Sequence, residues 1–342
     1  MTSRHGLANV GNSCYLNSAF QALSRSSFFS TYFGTDTWVQ HRHDDRKGAA
    51  LATQTATLVS ALRTPGDAII IPGLFVRAFV EFAREINDDI RFGAQADAAE
   101  AIQILMDGLH MQLACEVNMR IKHTAAHMTP ENAERSRSLE SWKQFFQKEY
   151  SPLIGAYYGQ TQTKVVCTGC KAASTRYEPW AVLKVPIPGA DKEGADAPNL
   201  QACIAGAFAS ETIDDYACDA CKAKGPAAMS NAISRFPAHV ILSLKRFTNQ
   251  GRKVRARIAY DEDNIDLSPW QAWSSGGQVY RVMSAVEHLG SSRGGHYIMR
   301  TRDLTDGKWY VYDDGAVSVS PIGGAAGPDT YILFLEQVIK KS

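Results

Sequence analysis

The sequence predicts an α+β fold, with helical patterns in its first half, strand patterns in its second, and a pair of cysteine knuckles between them. Leu16, Ala19, Phe20 and Leu23 recur at the i, i+3, i+4, i+7 spacing of a helix with one apolar face. HVILSLKRFT after Pro237 reads as a buried strand, and the stretch 280–321 alternates apolar and polar residues around an Asp306-Gly307 turn. Segregated helices and strands, rather than alternating ones, argue for α+β.

At 342 residues the chain is long enough for one large domain or two small ones. Its 36 basic and 35 acidic residues nearly cancel, so there is no overall electrostatic footprint for nucleic acid or an anionic membrane. No early run joins basic residues to an apolar stretch, and none has the length of a membrane span. The seven cysteines are odd in number, and four of them form two CxxC pairs, which suits a reducing compartment and a metal better than a disulfide framework. Cytosol or nucleoplasm is the expected location.

Cys14 opens the first helical pattern behind a glycine-containing turn. Asn12 and Ser13 can cap that helix, and its free amides and dipole favour a thiolate over a thiol. A lone cysteine before a helix is usually only a small buried apolar residue. From 28 to 71 the chain is mixed: a polar stretch 41–47, where His41 and His43 read as solvated, then Leu51, Leu58 and Leu62 at helical spacing before Pro65-Gly66. A helix is expected over 73–86 and another within 95–113. At about 100° per residue, Ile102, Leu105, Met106, Leu109 and Leu113 of the latter share one core-facing sector, which leaves Asp97 and Glu100 projecting together on the outward side. The polar stretch from Cys115 to Tyr150, with a break at Pro130, reads as a linker or surface insertion. Its His123 and His127 copy a metal-ligand spacing without an acidic partner at motif distance. Cys115 and Cys203 read as packing thiols.

Cys167-Thr-Gly-Cys170 and Cys218-Asp-Ala-Cys221 are the knuckles. Each sets two thiolates on one side of a tight turn, and two such turns complete a tetrahedral shell for one structural Zn2+, with no position left for water. Redox chemistry is the competing reading of a single CxxC, and the duplication favours zinc. In the 280–321 meander, a hairpin centred on 303–307 brings Asp313 and Asp314 opposite His296 and Tyr297. A carboxylate meeting an imidazole in this way holds it in the tautomer that serves as a base for a thiol. Geometry alone leaves open which acid does so, because a one-residue slip in register exchanges them.

GLxNxGNxCYxNSxxQxL around Cys14 closely resembles the cysteine box of the ubiquitin-specific proteases, the papain-like deubiquitinases. The segment from 95 resembles that family's QQDxxEFLxxLLDxL box, with Ala96 and Ala101 departing from it. The run up to Cys167, the segment around Cys218, the LKRF string and the GHY and YDD strings resemble its fingers, its PxxLxxxLKRF signature and its histidine box. The resemblance implies a single catalytic domain over 1–342 with a helical thumb (1–150), zinc-ribbon fingers (151–235) and a β-sheet palm (236–342). It implies Cys14 as nucleophile, His296 as general base, Asp313 as the acid that orients it, Asn9 as an oxyanion donor, and Asp314 as an acid near the oxyanion. Asp97 and Glu100 would contact the basic C-terminal tail of ubiquitin. His288, in VEHLG, would be a satisfied structural histidine, and His239 likewise structural.

The expected activity is hydrolysis of the isopeptide or peptide bond at ubiquitin's C-terminal glycine. Expected partners are ubiquitin and ubiquitinated proteins, with no nucleic acid, no membrane, no catalytic cofactor and a monomeric chain close to a bare catalytic core. A catalytically inactive ubiquitin-binding scaffold, a protease for a ubiquitin-like modifier, and a zinc-ribbon nucleic-acid module are the alternatives. The joint presence of Cys14, His296 and Asp313 argues against the first, and the balanced charge against the last.

Overall fold

The computed structural model describes residues 3–46, 48–121, 129–189, 198–248, 250–274, 276–291, 294–323 and 327–338. His123 and His127 lie outside the described residues. The first part is helical: α1 (Cys14–Ser24), α2 (Ser27–Phe33), α3 (Ala49–Arg63), α4 (Gly73–Ala83), α5 (Ala98–Leu113), α6 (Pro130–Phe146) and α7 (Pro152–Tyr157). Then come β1 (Gly159–Cys167), β2 (Ala173–Trp180), β3 (Val182–Val185), α8 (Leu200–Ala207), β4 (Glu211–Ala217), β5 (Lys224–Arg235) and β6 (His239–Leu244). The chain finishes through β7 (Ile265–Asp266), β8 (Val279–Ser291), β9 (Gly294–Arg302), β10 (Trp309–Asp313), β11 (Ala316–Val319) and β12 (Thr330–Gln337).

The strands form two sheets. Four of them run in the order β2-β1-β5-β4, and the larger sheet runs β11-β10-β9-β8-β12-β6-β3, with β7 on β8. Among the described strands β3 and β6 pair in parallel, and the other pairs are antiparallel. β3 lies between the stretches that build the small sheet, yet it joins the large one.

The strand β12 is the element that sequence reading passed over. Its Ile332 and Phe334 enter the core under the helices, whereas Leu333 and Leu335 enter a second core lined by α8, β3 and β6. A strand covered on both faces has no polar alternation to betray it, so YILFL lacks the period-2 signal of a half-buried strand.

α1 is buried along its whole length, Asn17 and Gln21 included, instead of showing one apolar face. It packs against α5 on one side and against β8 and β9 on the other. On its remaining face the polar side chains bond to the chain that precedes it: Gln21 Nε2 donates to the His5 carbonyl at 2.8 Å, and Asn17 Nδ2 reaches the Ala8 carbonyl at 3.2 Å. α3, α4 and α5 form where periodicity places them, and the predicted core residues of α5 are all fully buried. The expected linker from 115 to 150 instead contains α6, which Pro130 begins rather than breaks. At the first helical position proline lacks only an amide that would be unpaired anyway, and Thr129 accepts from the Asn132 amide as the cap. α6 packs on β2 with Trp142 and Phe146 buried.

Cys203 is fully buried and Cys115 half-buried. His239 is buried in β6 against Tyr157. His41 is half-buried, not solvated, with Nδ1 3.0 Å from the Tyr32 hydroxyl.

Candidate active site

Cys14 is the first residue of α1 and is almost wholly buried. Neither expected cap forms. Ser13 turns its hydroxyl to the Val10 amide at 2.9 Å, and Asn12, in the left-handed region at φ 56°, donates its side-chain amide to the Gly93 carbonyl at 2.7 Å. The amides of Cys14 and Tyr15 are thereby left to the sulfur, and the amide of Tyr297 on β9 reaches it as well. These donors do not win. Burial pushes the Cys14 thiol above its ordinary value, the nearby Asp314 carboxylate adds to that push, and the three amides only partly offset it. The balance therefore runs against the expected lowering and towards the protonated thiol.

His296, on β9 beside Tyr297, is held by Asp313 at the end of β10, with Nε2 2.6 Å from Oδ1. That contact leaves Nδ1 as the nitrogen free to take a proton from a thiol. The β9–β10 register lies one residue along from the expectation: Tyr312 pairs with Met299 and Trp309 with Arg302. His296 and Asp313 thus share a face of the sheet as diagonal neighbours, within reach of each other.

Asp314 brings a carboxylate oxygen within 4.8 Å of a His296 ring nitrogen and an Asp313 oxygen, but its bonds are to two asparagines. It sits in the β10–β11 turn at φ 48° and accepts from Asn9 Nδ2 and Asn17 Nδ2, each at 2.8 Å. Asn9 is exposed, and its Oδ1 accepts from the Ser13 amide at 3.1 Å, so both ends of its amide are fixed. One Nδ2 hydrogen remains for a further acceptor.

A cleft of about 340 Å3 lies beside Cys14, walled by Gln95, Asp97, His288, Gly295 and Tyr297 among others. Its floor is glycine of necessity, since a side chain at Gly295 would come within 2.2 Å of the Leu289 carbonyl. Gln95 bridges the cleft, donating to the Gly295 carbonyl at 3.1 Å.

Asp97 departs from the expected outward pose. It is the half-buried cap of α5, with Oδ1 accepting from the Ala99 and Glu100 amides at 2.9 and 3.0 Å and Oδ2 from the Tyr331 hydroxyl at 2.8 Å. A helical wheel misplaces it because a cap residue has extended, not helical, backbone. Glu100 is exposed as expected and accepts from Asn87 Nδ2 at 2.7 Å.

His288 is buried but not satisfied. Its ring packs on Tyr297 and Phe247, Nδ1 has no hydrogen-bond partner among the described residues, and burial followed by the Lys253 charge pushes its pKa down. Sequence reading missed Asn17, Gln95 and Tyr331. The first two lie inside the boxes already noted, where their buried or bridging amides are the signal; Tyr331 belongs to the strand that was not seen.

Far along the small sheet, the four knuckle cysteines converge with their sulfurs all within 4.8 Å of one another. Each knuckle is the turn of a hairpin, β1–β2 or β4–β5. The two turns are built alike: Lys171 and Lys222 take φ 61° and 60°, and their amides bond the Cys167 and Cys218 carbonyls at 3.0 and 2.8 Å.

A buried thiol at a helix start, met by the strand that carries a carboxylate-held imidazole, is the kind of arrangement a papain-like thiol hydrolase uses. The sequence description of the ubiquitin carboxyl-terminal hydrolase family matches residues 5–335, and the chain belongs to that family. Bovine ubiquitin carboxyl-terminal hydrolase 2 is 28% identical over 345 residues, covering 97% of this chain and 54% of the relative. Ubiquitin carboxyl-terminal hydrolase 5 of Saccharomyces cerevisiae is also 28% identical, covering 97% of this chain and 44% of its own. The chain thus spans about half the length of these curated relatives. Among solved structures, the SAGA Ubp8/Sgf11/Sus1/Sgf73 DUB module bound to ubiquitin aldehyde superposes with a TM-score of 0.71 at 18% identity, over 99% of this chain and 70% of that one. The fold is accordingly the mixed one expected, a helical thumb and β-sheet palm with a cysteine-bearing fingers sheet.

Replacing Asp97 by alanine should lower stability by about 1 kcal/mol or more through loss of the cap, while Glu100→Ala should change it by less than about 0.5 kcal/mol. Urea unfolding of the two variants checks this. Because thiolate is the reactive form and burial raises the thiol, alkylation of Cys14 by a small reagent in the free protein should climb with pH towards and beyond the ordinary thiol value of 9.0. A rate plateau from acid to neutral pH, read by mass mapping of Cys14, would instead reveal a thiolate–imidazolium pair.

Proposed function

We propose that the chain is a thiol-dependent deubiquitinase that hydrolyses the bond at the C-terminal glycine of ubiquitin. The observation that carries this reading is the thiol of Cys14 at the head of α1, reached by the amide of Tyr297, the residue after the His296 that Asp313 holds, in a chain matched by the hydrolase family over nearly its full length. Cys14 Sγ attacks the glycine carbonyl carbon as His296 Nδ1 takes the thiol proton. The resulting oxyanion meets the Cys14 amide and the spare Nδ2 hydrogen of Asn9. His296 returns the proton to the departing amine, and water, deprotonated by the same imidazole, releases ubiquitin from the thioester. Asp313 keeps the imidazole oriented, and Asp314 holds Asn9 and Asn17 in place.

Asp97 and Glu100 provide negative charge at the start of α5 for ubiquitin's basic tail; Asp97 lines the cleft itself. The glycine-floored slot suits a tail that ends without side chains. A protease for a ubiquitin-like modifier would use the same catalytic residues, and the modifier is settled by probes. The free cysteines favour a reducing compartment, cytosol or nucleoplasm.

The four knuckle cysteines fit one structural Zn2+. Zinc–thiolate bonds of about 2.3 Å in a tetrahedron place sulfurs about 3.8 Å apart, and Cys170 Sγ lies 3.6 Å from Cys218 Sγ. Four thiolates close the shell, so the metal supplies folding energy rather than chemistry.

An electrophilic ubiquitin probe should label Cys14 alone, and Cys14→Ala should abolish labelling with the fold intact; labelling at Cys115 or Cys203 would overturn the reading. Asp313→Asn should cut turnover by about a hundredfold or more with little change in ubiquitin affinity. Asp314→Ala should be the milder of the two, and the opposite ranking would reassign the orienting acid. Metal analysis should find about one zinc per chain, and Cys218→Ser should lose the metal and melt at lower temperature. Metal-free protein with full stability would refute the zinc site.

A further inference from the structure

At the far end of α1, about 16 Å from Cys14 by the helical rise, a second cavity lies between the helices and the large sheet. Its volume is about 540 Å3, and it shares no lining residue with the catalytic cleft. The ends of α1 and α3 contribute Arg25 and Arg63, α2 contributes Ser30, and β10 contributes Tyr312.

Three guanidinium groups line this cavity. Arg302 pairs with Asp263 at 2.5 Å, whereas Arg25 and Arg63 meet no carboxylate among the described residues. Arg25 donates from Nη1 to the Ser3 carbonyl at 3.3 Å and from Nη2 to the Tyr312 hydroxyl at 2.8 Å, and its Nε is buried without a partner. Arg63 donates from Nη1 to the Ser30 carbonyl at 2.6 Å, and the rest of its fork is unspent. Because the Tyr312 oxygen receives Arg25, its own hydrogen is left over, and neither it nor the Ser30 hydroxyl finds an acceptor among the described residues. The carboxylate in the lining is spent. Asp303 accepts from Arg4 Nη2 at 2.9 Å on one oxygen and from the Thr305 amide at 2.8 Å on the other.

The groups left over are thus donors, and the charge left over is positive. Two arginine forks with hydroxyl donors between them match the several acceptor oxygens and double charge of a phosphate better than the two oxygens of a carboxylate. The cavity is much larger than a bare phosphate, and Val59, Leu62 and Met283 give it an apolar wall. An organic group attached to the phosphate would cover that wall.

We propose that this cavity binds a phosphate monoester, with its phosphoryl oxygens on Arg25, Arg63, Ser30 and Tyr312 and its organic group against Val59, Leu62 and Met283. The site is independent of the deubiquitinase reading, since no residue of the cleft or of the catalytic set takes part. The bound anion bridges the ends of α1 and α3 to β10 and so ties the helical half of the molecule to the sheet.

The test is calorimetric titration of the whole chain, in phosphate-free buffer, with phenyl phosphate, inorganic phosphate and benzoate. Phenyl phosphate should bind about tenfold more tightly than either of the others. Arg63 is exposed, so Arg63→Gln should leave the fold intact and weaken phenyl phosphate about tenfold, and Ser30→Ala should weaken it by a smaller factor. A phosphotyrosyl pentapeptide identifies the source: tighter binding than phenyl phosphate assigns the site to a phosphorylated side chain, and equal or weaker binding assigns it to a small metabolite. Equal affinity of Arg63→Gln and the unaltered chain, or no saturable binding of phenyl phosphate below about 10 mM, overturns the site. Inorganic phosphate or benzoate binding as tightly as phenyl phosphate overturns its assignment to a phosphate monoester.

Discussion

One carboxylate binds the two halves of the site together. Asp314 accepts from Asn9 before α1 and from Asn17 inside it, and its own carbonyl accepts from the Leu7 amide at 2.9 Å. The start of the chain is thereby clamped to a turn some three hundred residues later in sequence. Gly6 packs so closely on Gly315 that an added side chain would come within 2.3 Å of the Gly315 carbonyl oxygen, so the clamp tolerates no side chain there. Because α1 is buried on all sides, fixing its first turn fixes Cys14, and fixing the β10–β11 turn fixes Asp313 against His296.

This burial has a chemical consequence. The surroundings that make α1 rigid also desolvate its thiol, and the amides of the first turn do not fully compensate. Burial there favours the protonated thiol over the thiolate.

The knuckle end of the small sheet is organised on a different principle. Its strands β2, β4 and β5 are mostly half-buried or exposed, and its two hairpin turns repeat one backbone geometry. Such a sheet lacks the buried area that sustains the large one, and the four cysteine sulfurs converge at its tip.

Sequence by itself determined the cysteine and histidine boxes, the paired knuckles, the core faces of α3 and α5, and the α+β class, since each is a local pattern of spacing or periodicity. Local patterns could not decide which of two adjacent acids meets the imidazole, because that turns on a one-residue register between β9 and β10. Nor could they reveal that Asp97 is a cap bonded to Tyr331, that Pro130 opens a helix, or that YILFL is a strand with both faces covered. Each of these depends on partners distant in the chain. Only the tertiary structure decided them, because burial and hydrogen-bond partnership belong to the packed whole and not to any window of sequence.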